Sequence, residues 1–331
     1  MIIRPTRQTA LRPARHTKTG REPARLAVCL TMRDRWILRM CHEHRVLTSP
    51  QLAALAFTGH IDLARHRLAK LHRYGVLDRF RPLRSRGSAP THWVLAAAGA
   101  AVLAAEAGLD VTDLRFRADR ALAIAHSLHL AHAVGVSEWF TTLTAAALTE
   151  PDARVVAWWS QTRCQALWGD LARPDAYGRY THTGTGLDFF LEYDLGTMAL
   201  ATVAAKLLGY GELARTTAVI TPVLLWVPTG AREAAARKAL HDTWTRLPDP
   251  TAVPVATAAA DLLDTTAAHP GPADRVWLPL QATGTGRLGM HQLCAAWPRR
   301  SPVPATVPVP PASRHAVLAP PPPVPPAPGG R

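Results

Sequence analysis

Three acidic residues and one lysine surround an apolar strand pattern near the middle of the chain. Asp175 follows Pro174, Glu192 and Asp194 lie within the run Phe-Phe-Leu-Glu-Tyr-Asp-Leu-Gly-Thr, and Lys206 comes after it. Side chains alternate between the two faces of a strand, so Glu192 and Asp194 share one face and the apolar residues of the opposite face are expected in the core. Carboxylates from this strand and the preceding one could converge on a hard divalent cation. The pattern indicates the core of a metal-dependent nuclease.

Alternating strand and helix patterns position these residues. A helix that holds Glu138 comes first, and three strands, a helix and a fourth strand follow, which gives an αβββαβ order. The predicted strands are 154–159, 171–177, 187–194 and 223–227, the predicted helices are 197–208 and 231–244, and the segments 253–257 and 276–280 are candidate edge strands.

The first hundred residues predict a winged helix-turn-helix. Thr31 can cap a first helix, Thr48-Ser49-Pro50-Gln51 is typical of a capped helix start, and apolar residues recur at helical spacing over 61–74 until Gly75. Two strand patterns, 76–80 and 91–95, flank a turn-rich tip over 84–90. Three helices followed by a strand pair are the elements of a winged helix.

The charge distribution favours DNA as the partner of this part of the chain. Residues 1–90 carry 19 Lys and Arg against 5 Asp and Glu, whereas residues 91–331 carry 19 against 19. Basic residues that neutralise phosphates release condensed counterions, so a basic domain is typical of nucleic-acid binding. Ordinary solvated charges and attraction to a membrane surface are the alternatives. The candidate DNA-binding residues lie on the third helix and the wing: Arg65, Arg67, Lys70, Arg73, Arg79, Arg81, Arg84 and Arg86.

Composition predicts a cytoplasmic protein. No run approaches the roughly 20 apolar residues that span a bilayer, and no apolar stretch follows the first arginines as a signal peptide requires. The four cysteines are scattered and form no CxxC pair, which argues against a zinc knuckle or a disulfide framework. We therefore expect no membrane association.

The acid pattern and the element order together resemble the restriction-endonuclease-like fold. Pro174-Asp175 matches the first half of its Pro-Asp, Asp/Glu-x-Lys signature, and Glu192-Tyr193-Asp194 places an acid where the signature has lysine. The resemblance implies that Asp175 and Glu192, with Asp194 as a further ligand, hold Mg²⁺. It also implies that Lys206 supplies the cation from a migrated position and that Glu138 is an additional acid of the site.

Each of these residues also has a plain structural interpretation. Asp175 could be a turn residue after proline, Asp194 a helix cap and Lys206 an exposed helix charge. An acid inside an apolar strand is costly unless a cation or metal matches it, so a structural ion pair between Glu192 and Lys206 is the main alternative.

At the level of families, the sequence resembles the replication-relaxation proteins of actinobacterial plasmids and integrative elements. The matching pieces are 31–38, 52–55, 65–75, the block 189–197, Lys206 and Tyr210. The resemblance implies a role in plasmid replication, relaxation or mobilisation. Double-stranded DNA is then the expected partner, a relaxase or replication initiator a further possible partner, and a homodimer a possible assembly. A non-catalytic DNA-binding regulator with a degenerate nuclease-like domain is the alternative.

The expected architecture is an α/β (α+β) protein of two domains with extended ends. Its predicted parts are a disordered basic arm (1–28), a winged-helix domain (29–96), a helical linker (97–127), a restriction-endonuclease-like domain (128–285) and a disordered Pro-rich tail (298–331).

Overall fold

The computed structural model describes residues 26, 28–83, 87–127, 129–218, 220, 222–260, 270–281, 286–297 and 318–327. The described chain is a mixed α/β protein with two sheets, as the sequence predicts, and divides into two compact units. The first unit comprises Ile3–Thr141 and Pro304–Arg331, and the second Thr142–Val303. Most of the predicted basic arm and much of the tail lie outside the described residues.

The first unit begins with three helices and a small antiparallel sheet. Its helices are α1 (Met32–His44), α2 (Ser49–Ala56) and α3 (Ile61–Arg73), and its strands are β1 (Leu47–Thr48), β2 (Leu77–Phe80) and β3 (His92–Leu95), in the order β1-β3-β2. Both predicted helix starts are confirmed as capping boxes, Thr31 with Asp34 and Thr48 with Gln51. In each box two backbone N–H groups that lack a helical partner are satisfied by side chains, which fixes where the helix begins.

Further helices follow the sheet within the first unit. They are α4 (Ala97–Glu106), α5 (Ala118–Ala123) and α6 (Leu130–Thr149), with short 3₁₀ turns at Val111–Leu114 and Ile124–His126. Phe80 and Val94 of the strands pack with Ile124, and Leu130 and Val134 of α6 lie against the same cluster. The division between the two units falls within α6, after Thr141.

A six-stranded mixed sheet forms the second unit. Its strands are β4 (Ala153–Ser160), β5 (Ala176–His182), β6 (Thr185–Tyr193), β7 (Val223–Val227), β8 (Val255–Ala259) and β9 (Leu278–Pro279), and they lie in sequence order. The first three strands pair antiparallel, β6-β7 and β7-β8 pair parallel, and β8-β9 pair antiparallel. The helices are α7 (Gln161–Trp168), α8 (Leu200–Thr217), α9 (Gly230–Trp244) and α10 (Met290–Ala296), with a 3₁₀ turn at Pro250–Ala252.

The structure departs from the predicted elements around β5 and β6. The strand predicted over 171–177 lies at Ala176–His182, because the chain first forms α7, which the sequence reasoning missed, and then a loop that contains Pro174. Proline lacks an N–H for the strand ladder, so it lies in the loop before the strand. Both faces of β6 are buried, since Asp188, Phe190 and Glu192 are as inaccessible as Phe189. Phe189 and Leu191 confirm the predicted core face, and the structure adds that the face with Asp188 and Glu192 is buried as well.

Helix α8 begins three residues later than predicted and continues to Thr217. Gly209 explains how it lies close to the loop after α7: a Cβ at this position would come within 2.2 Å of the Leu171 carbonyl oxygen. A helical glycine normally weakens a helix relative to alanine, so this one serves the close approach. Within the described residues no helix is long and apolar enough to cross a membrane.

Candidate functional site

Helix α3 presents a basic face to solvent. Ala64, Leu68 and Leu71 form its buried stripe, at the spacing that the sequence predicts. Arg65, Lys70 and Arg73 are exposed, as are the neighbouring Leu63 and His66. Arg65 pairs with Asp62 one turn earlier at 3.2 Å, a surface contact of small energy, so its guanidinium remains accessible.

Arg67 has a different environment from the other basic residues of α3. Its Nε donates to Asp34 Oδ1 of α1 at 2.7 Å, and a second guanidinium N–H donates to Asp34 Oδ2. Asp34 is fully buried and also caps α1 through Thr31. Burial alone would raise the pKa of Asp34, but the hydrogen bonds from Arg67 and Thr31 outweigh it and hold the pKa below its ordinary value. Arg67 therefore anchors α3 to α1.

The strand pair β2-β3 carries the remaining basic residues of the first unit. Arg79 is exposed, with its guanidinium 5.8 Å from the centre of the Trp93 ring. Arg81 is also exposed and donates to Ser88 Oγ at 3.1 Å and to Thr91 Oγ1 at 2.8 Å, which steadies the start of the loop between the strands. Arg84 and Arg86 lie outside the described residues. The described basic surface thus consists of Arg65, Lys70, Arg73, Arg79 and Arg81.

In the second unit, β6 and α8 bring Glu192 and Lys206 together as the sequence reasoning anticipated. Lys206 Nζ donates to Glu192 Oε2, and Tyr210 Oη donates to Glu192 Oε1 at 2.5 Å. Lys206 and Tyr210 are four residues apart, so they lie on one face of α8. Glu192 and Tyr210 are buried, whereas the Lys206 side chain is 29% exposed.

Opposing effects act on the pKa of Glu192. Burial raises the pKa of Glu192 to about 7, the negative charge of Asp175 acts in the same direction, and Lys206 and Tyr210 oppose them. Burial lowers the pKa of Lys206, but the carboxylates of Glu192 and Asp175 outweigh it, so the net shift is upward and the ammonium is retained. Burial also raises the pKa of Tyr210, which keeps its hydroxyl proton. Burial and the Asp175 charge therefore favour the protonated form of Glu192, while its two donors stay protonated.

Asp175 lies directly before β5, beside the end of β6. Its Oδ2 accepts from the Tyr193 N–H at 2.8 Å, and its Oδ1 accepts from Gln161 Nε2 of α7 at 3.4 Å. Its backbone N–H donates to the Leu191 carbonyl at 3.1 Å. These contacts place the Asp175 carboxylate near Glu192, whose pKa it raises.

Asp194 and Glu138 are engaged elsewhere. Arg232 Nε of α9 donates to Asp194 Oδ2, and the Gly196 N–H donates to Asp194 Oδ1 at 2.8 Å. Glu138 belongs to the first unit, where its Oε2 accepts from Gln51 Nε2 at 2.9 Å. The group that the structure assembles is Asp175, Glu192, Lys206 and Tyr210, which we call the acid–lysine cluster.

The cluster contains two carboxylates that suit a metal, not three. In the part of the chain that the structure describes, no three His, Cys, Asp or Glu side chains are grouped so as to hold a metal ion. Mg²⁺ commonly uses only one or two protein carboxylates and takes its other ligands from water and phosphate. Asp175 and Glu192 fit that requirement in donor chemistry. Burial first, and then the charge of Asp175, raise the pKa of Glu192, and a bound cation would oppose both effects.

Sequence reasoning assigned no site role to three residues that hold these acids. Tyr210, Gln161 and Arg232 each donate to a predicted site carboxylate. Only Tyr210 carried a local signal, because its spacing of four from Lys206 places both on the same helix face. Gln161 and Arg232 come from elements whose contact with the acids depends on the tertiary fold.

The fold and the two groups of residues define a two-unit α/β protein with a basic helical unit and an acid–lysine cluster in a mixed sheet. Residues 38–223, more than half of the chain, match the replication-relaxation family, and the chain belongs to this family. Membership indicates a role in plasmid replication and relaxation. No curated protein and no solved structure matches the chain significantly.

Proposed function

We propose that this protein binds double-stranded DNA in plasmid replication, relaxation or mobilisation, and that its first unit makes the contact. The observation that carries the proposal is the exposed basic set on α3 and β2-β3, held on a scaffold of three helices and an antiparallel strand pair. In winged-helix proteins the third helix enters the major groove and the strand pair lies beside it. Arg65, Lys70 and Arg73 are the residues that would reach phosphates or base edges.

Salt dependence of binding tests this assignment. Replacing Arg65, Lys70 and Arg73 together by Ala should weaken binding to a duplex and reduce the slope of log K against log salt by about 3, since each lost phosphate contact removes roughly 0.9. Lys238→Ala is the matched control, because Lys238 is an exposed basic residue on α9 of the second unit. Electrophoretic mobility or anisotropy titrations over a range of salt concentrations measure both quantities. An unchanged slope in the triple variant would refute the assignment to α3.

A second function, phosphodiester cleavage, is favoured by the arrangement of the second unit. The order α6-β4-α7-β5-β6-α8-β7, in which three antiparallel strands are followed by a parallel strand, supports a restriction-endonuclease-like domain with α7 inserted between its first two strands. Asp175 before β5 and Glu192 late in β6 would then correspond to the two acids of that fold's signature, and Lys206 on α8 to a migrated lysine. We infer that the acid–lysine cluster is the site directed at phosphodiesters.

Asp175 and Glu192 are the residues that would hold Mg²⁺. The ion would supply a bound water of lowered pKa and neutralise charge on the phosphate. Lys206 holds Glu192 in place and would stabilise negative charge that develops on a phosphate. Tyr210 donates to the second oxygen of Glu192 and so fixes the orientation of the carboxylate.

The same contacts support the alternative of a DNA-binding factor without catalysis. Both oxygens of Glu192 already accept hydrogen bonds from protein donors, and Lys206 is used in one of them. An ion pair that satisfies itself in this way can serve the fold alone. Glu192 is only 4% exposed. Whether a metal ion or a phosphate can reach its carboxylate therefore distinguishes a catalytic site from a structural ion pair.

Plasmid nicking with added Mg²⁺ or Mn²⁺ separates the two outcomes. The wild type, Glu192→Gln and the control Glu212→Gln are compared at equal DNA occupancy, since Glu212 lies on the same helix as Lys206 but is solvent-exposed and paired with Arg215. Metal-dependent nicking that is lost only in Glu192→Gln supports the nuclease. Equal nicking by all three proteins, or none by any, contradicts catalysis by this cluster and leaves DNA binding as the function.

A further inference from the structure

The C-terminal end of the described chain lies on the first unit, against α1. Residues 318–327 read Leu-Ala-Pro-Pro-Pro-Pro-Val-Pro-Pro-Ala, without a charged side chain. They belong to the first unit although nearly three hundred residues separate them from α1 along the chain. Pro321 and Pro323 are buried while Pro322 between them is exposed. The segment therefore packs against the first unit through Pro321 and Pro323.

Two side chains of α1 hold the segment by its backbone carbonyls. Trp36 Nε1 donates to the Pro322 carbonyl at 2.7 Å, and Arg39 Nη2 donates to the Ala319 carbonyl at 2.9 Å. Trp36 and Arg39 are three residues apart and therefore neighbours on one face of the helix. Trp36 is only 2% exposed, so its indole N–H has lost its water and depends on this carbonyl for a partner.

These contacts have the chemistry of proline-peptide recognition. Proline has no N–H, so a proline-rich segment offers only its carbonyls for hydrogen bonding. Its φ angles are fixed in advance, which lowers the entropic cost of binding an extended conformation. Domains that bind such peptides combine an aromatic-lined groove with donors to the carbonyls. Trp36 and Arg39 supply both features.

We propose that this face of α1 is a recognition site for uncharged proline-rich segments and that residues 318–327 of the same chain occupy it as an exchangeable ligand. Arg39 adds affinity by donating to a backbone carbonyl, whereas the buried positions of Pro321 and Pro323 select the sequence. An intramolecular ligand competes with ligands in solution at an effective concentration set by the chain that connects it, so it masks the site from weaker ligands. A proline-rich segment of a partner gains access when the cis segment is displaced.

The test uses the full chain and a fluorescein-labelled synthetic peptide of residues 318–327. Pro321→Asp/Pro323→Asp in the full chain places charges at the two buried positions and should release the cis segment. This unmasked protein should bind the peptide about tenfold or more tightly than the wild type does, because the competing ligand has been removed. Fluorescence anisotropy gives both affinities, and the same peptide with Asp at positions 321 and 323 should not bind.

A second variant tests the contact itself. Adding Arg39→Met to the unmasked protein removes one hydrogen bond but keeps most of the aliphatic part of the side chain. The affinity for the peptide should fall about fivefold to tenfold. Arg33→Met is the matched control, since Arg33 is an exposed arginine of α1 that lies over the Phe57 ring, and it should leave the affinity unchanged. Circular dichroism confirms that each variant is folded.

Three results would overturn the proposal. They are equal peptide affinity in the wild type and the unmasked protein, binding of the Asp-substituted peptide as tightly as the native one, and no loss of affinity in Arg39→Met. Because the peptide variant leaves the protein untouched, the second result is independent of any effect on folding. None of these measurements involves DNA, so the outcome is separate from that of the proposed DNA-binding function.

Discussion

Replacing Glu192 by Gln should change the pH dependence of stability in a direction that the cluster geometry fixes. The amide of the substituted side chain would resemble the protonated carboxyl in shape, and its oxygen can still accept from Lys206 or Tyr210. Burial and the Asp175 charge raise the folded-state pKa of Glu192 to about 7, against an ordinary value of 4.5. Folding therefore favours the protonated form. That contribution is fully present below about pH 4.5 and is lost as the pH rises through about 7.

The size of the effect follows from linkage. A shift of this size is worth about 3 kcal/mol between the acid and alkaline limits, at 1.36 kcal/mol for each pKa unit. Between pH 8 and pH 5.5 the wild type should gain about 2 kcal/mol in free energy of unfolding that the Glu192→Gln protein does not gain. The sign is opposite to that of an ordinary exposed salt bridge, in which acidification removes stability.

Urea denaturation followed by far-UV circular dichroism at several pH values between 5.5 and 8 measures the difference. Glu212→Gln serves as the control because Glu212 is exposed on the same helix, and its profile should run parallel to that of the wild type. A Glu192→Gln profile that also runs parallel to the wild type would refute the reasoning. So would a wild type that loses stability on acidification relative to the variant, since that result would mean that Lys206 lowers the pKa of Glu192 below its ordinary value.

Three further perturbations test individual contacts. Arg67→Ala leaves Asp34 as a buried carboxylate without its cation and should lower the free energy of unfolding by roughly 3 kcal/mol, measured by urea titration; Arg67→Lys should recover part of the loss. Gly209→Ala should lower the thermal midpoint, because its Cβ would meet the Leu171 carbonyl oxygen at 2.2 Å, and an unchanged midpoint would mean that the loop yields without cost. Burial raises the pKa of the Cys41 thiol to about 12, so iodoacetamide at pH 8 should label it only after unfolding, as peptide mass spectrometry would detect.

Local signals in the sequence predicted the elements of the first unit well. The capping boxes at Thr31 and Thr48 depend on residues three positions away, and the apolar stripe of α3 depends on spacings of three and four. Such patterns involve only a few neighbouring residues, so they can be recognised without knowledge of the tertiary contacts. For the same reason the spacing of Lys206 and Tyr210 can be recognised in the sequence, whereas their shared contact with Glu192 cannot.

Contacts between residues distant in the chain were beyond that reasoning. Arg67 lies 33 residues from Asp34, and Arg232 lies 38 residues from Asp194. Periodicity cannot tell which arginine of a basic helix turns inward to a buried acid, so Arg67 was grouped with residues that face solvent. The burial of the acidic face of β6 could not be predicted for the same reason. An alternating pattern does not reveal that α8 covers the polar side of the strand.

The positive excess of the sequence is confined to its first ninety residues. In the second unit, buried carboxylates on or beside the sheet are matched by cations of their own. These pairs are Arg179–Asp188, Lys206–Glu192, Arg232–Asp194 and Arg287–Glu233. Cations bound to buried acids attract phosphate weakly, because the pair has little net charge at a distance. On α3 it is Arg67 that is held by a buried acid, whereas Arg65, Lys70 and Arg73 are exposed to solvent. The proposed affinity for DNA and its salt dependence are therefore expected to come from the first unit, whether or not the proposed cleavage by the second unit takes place.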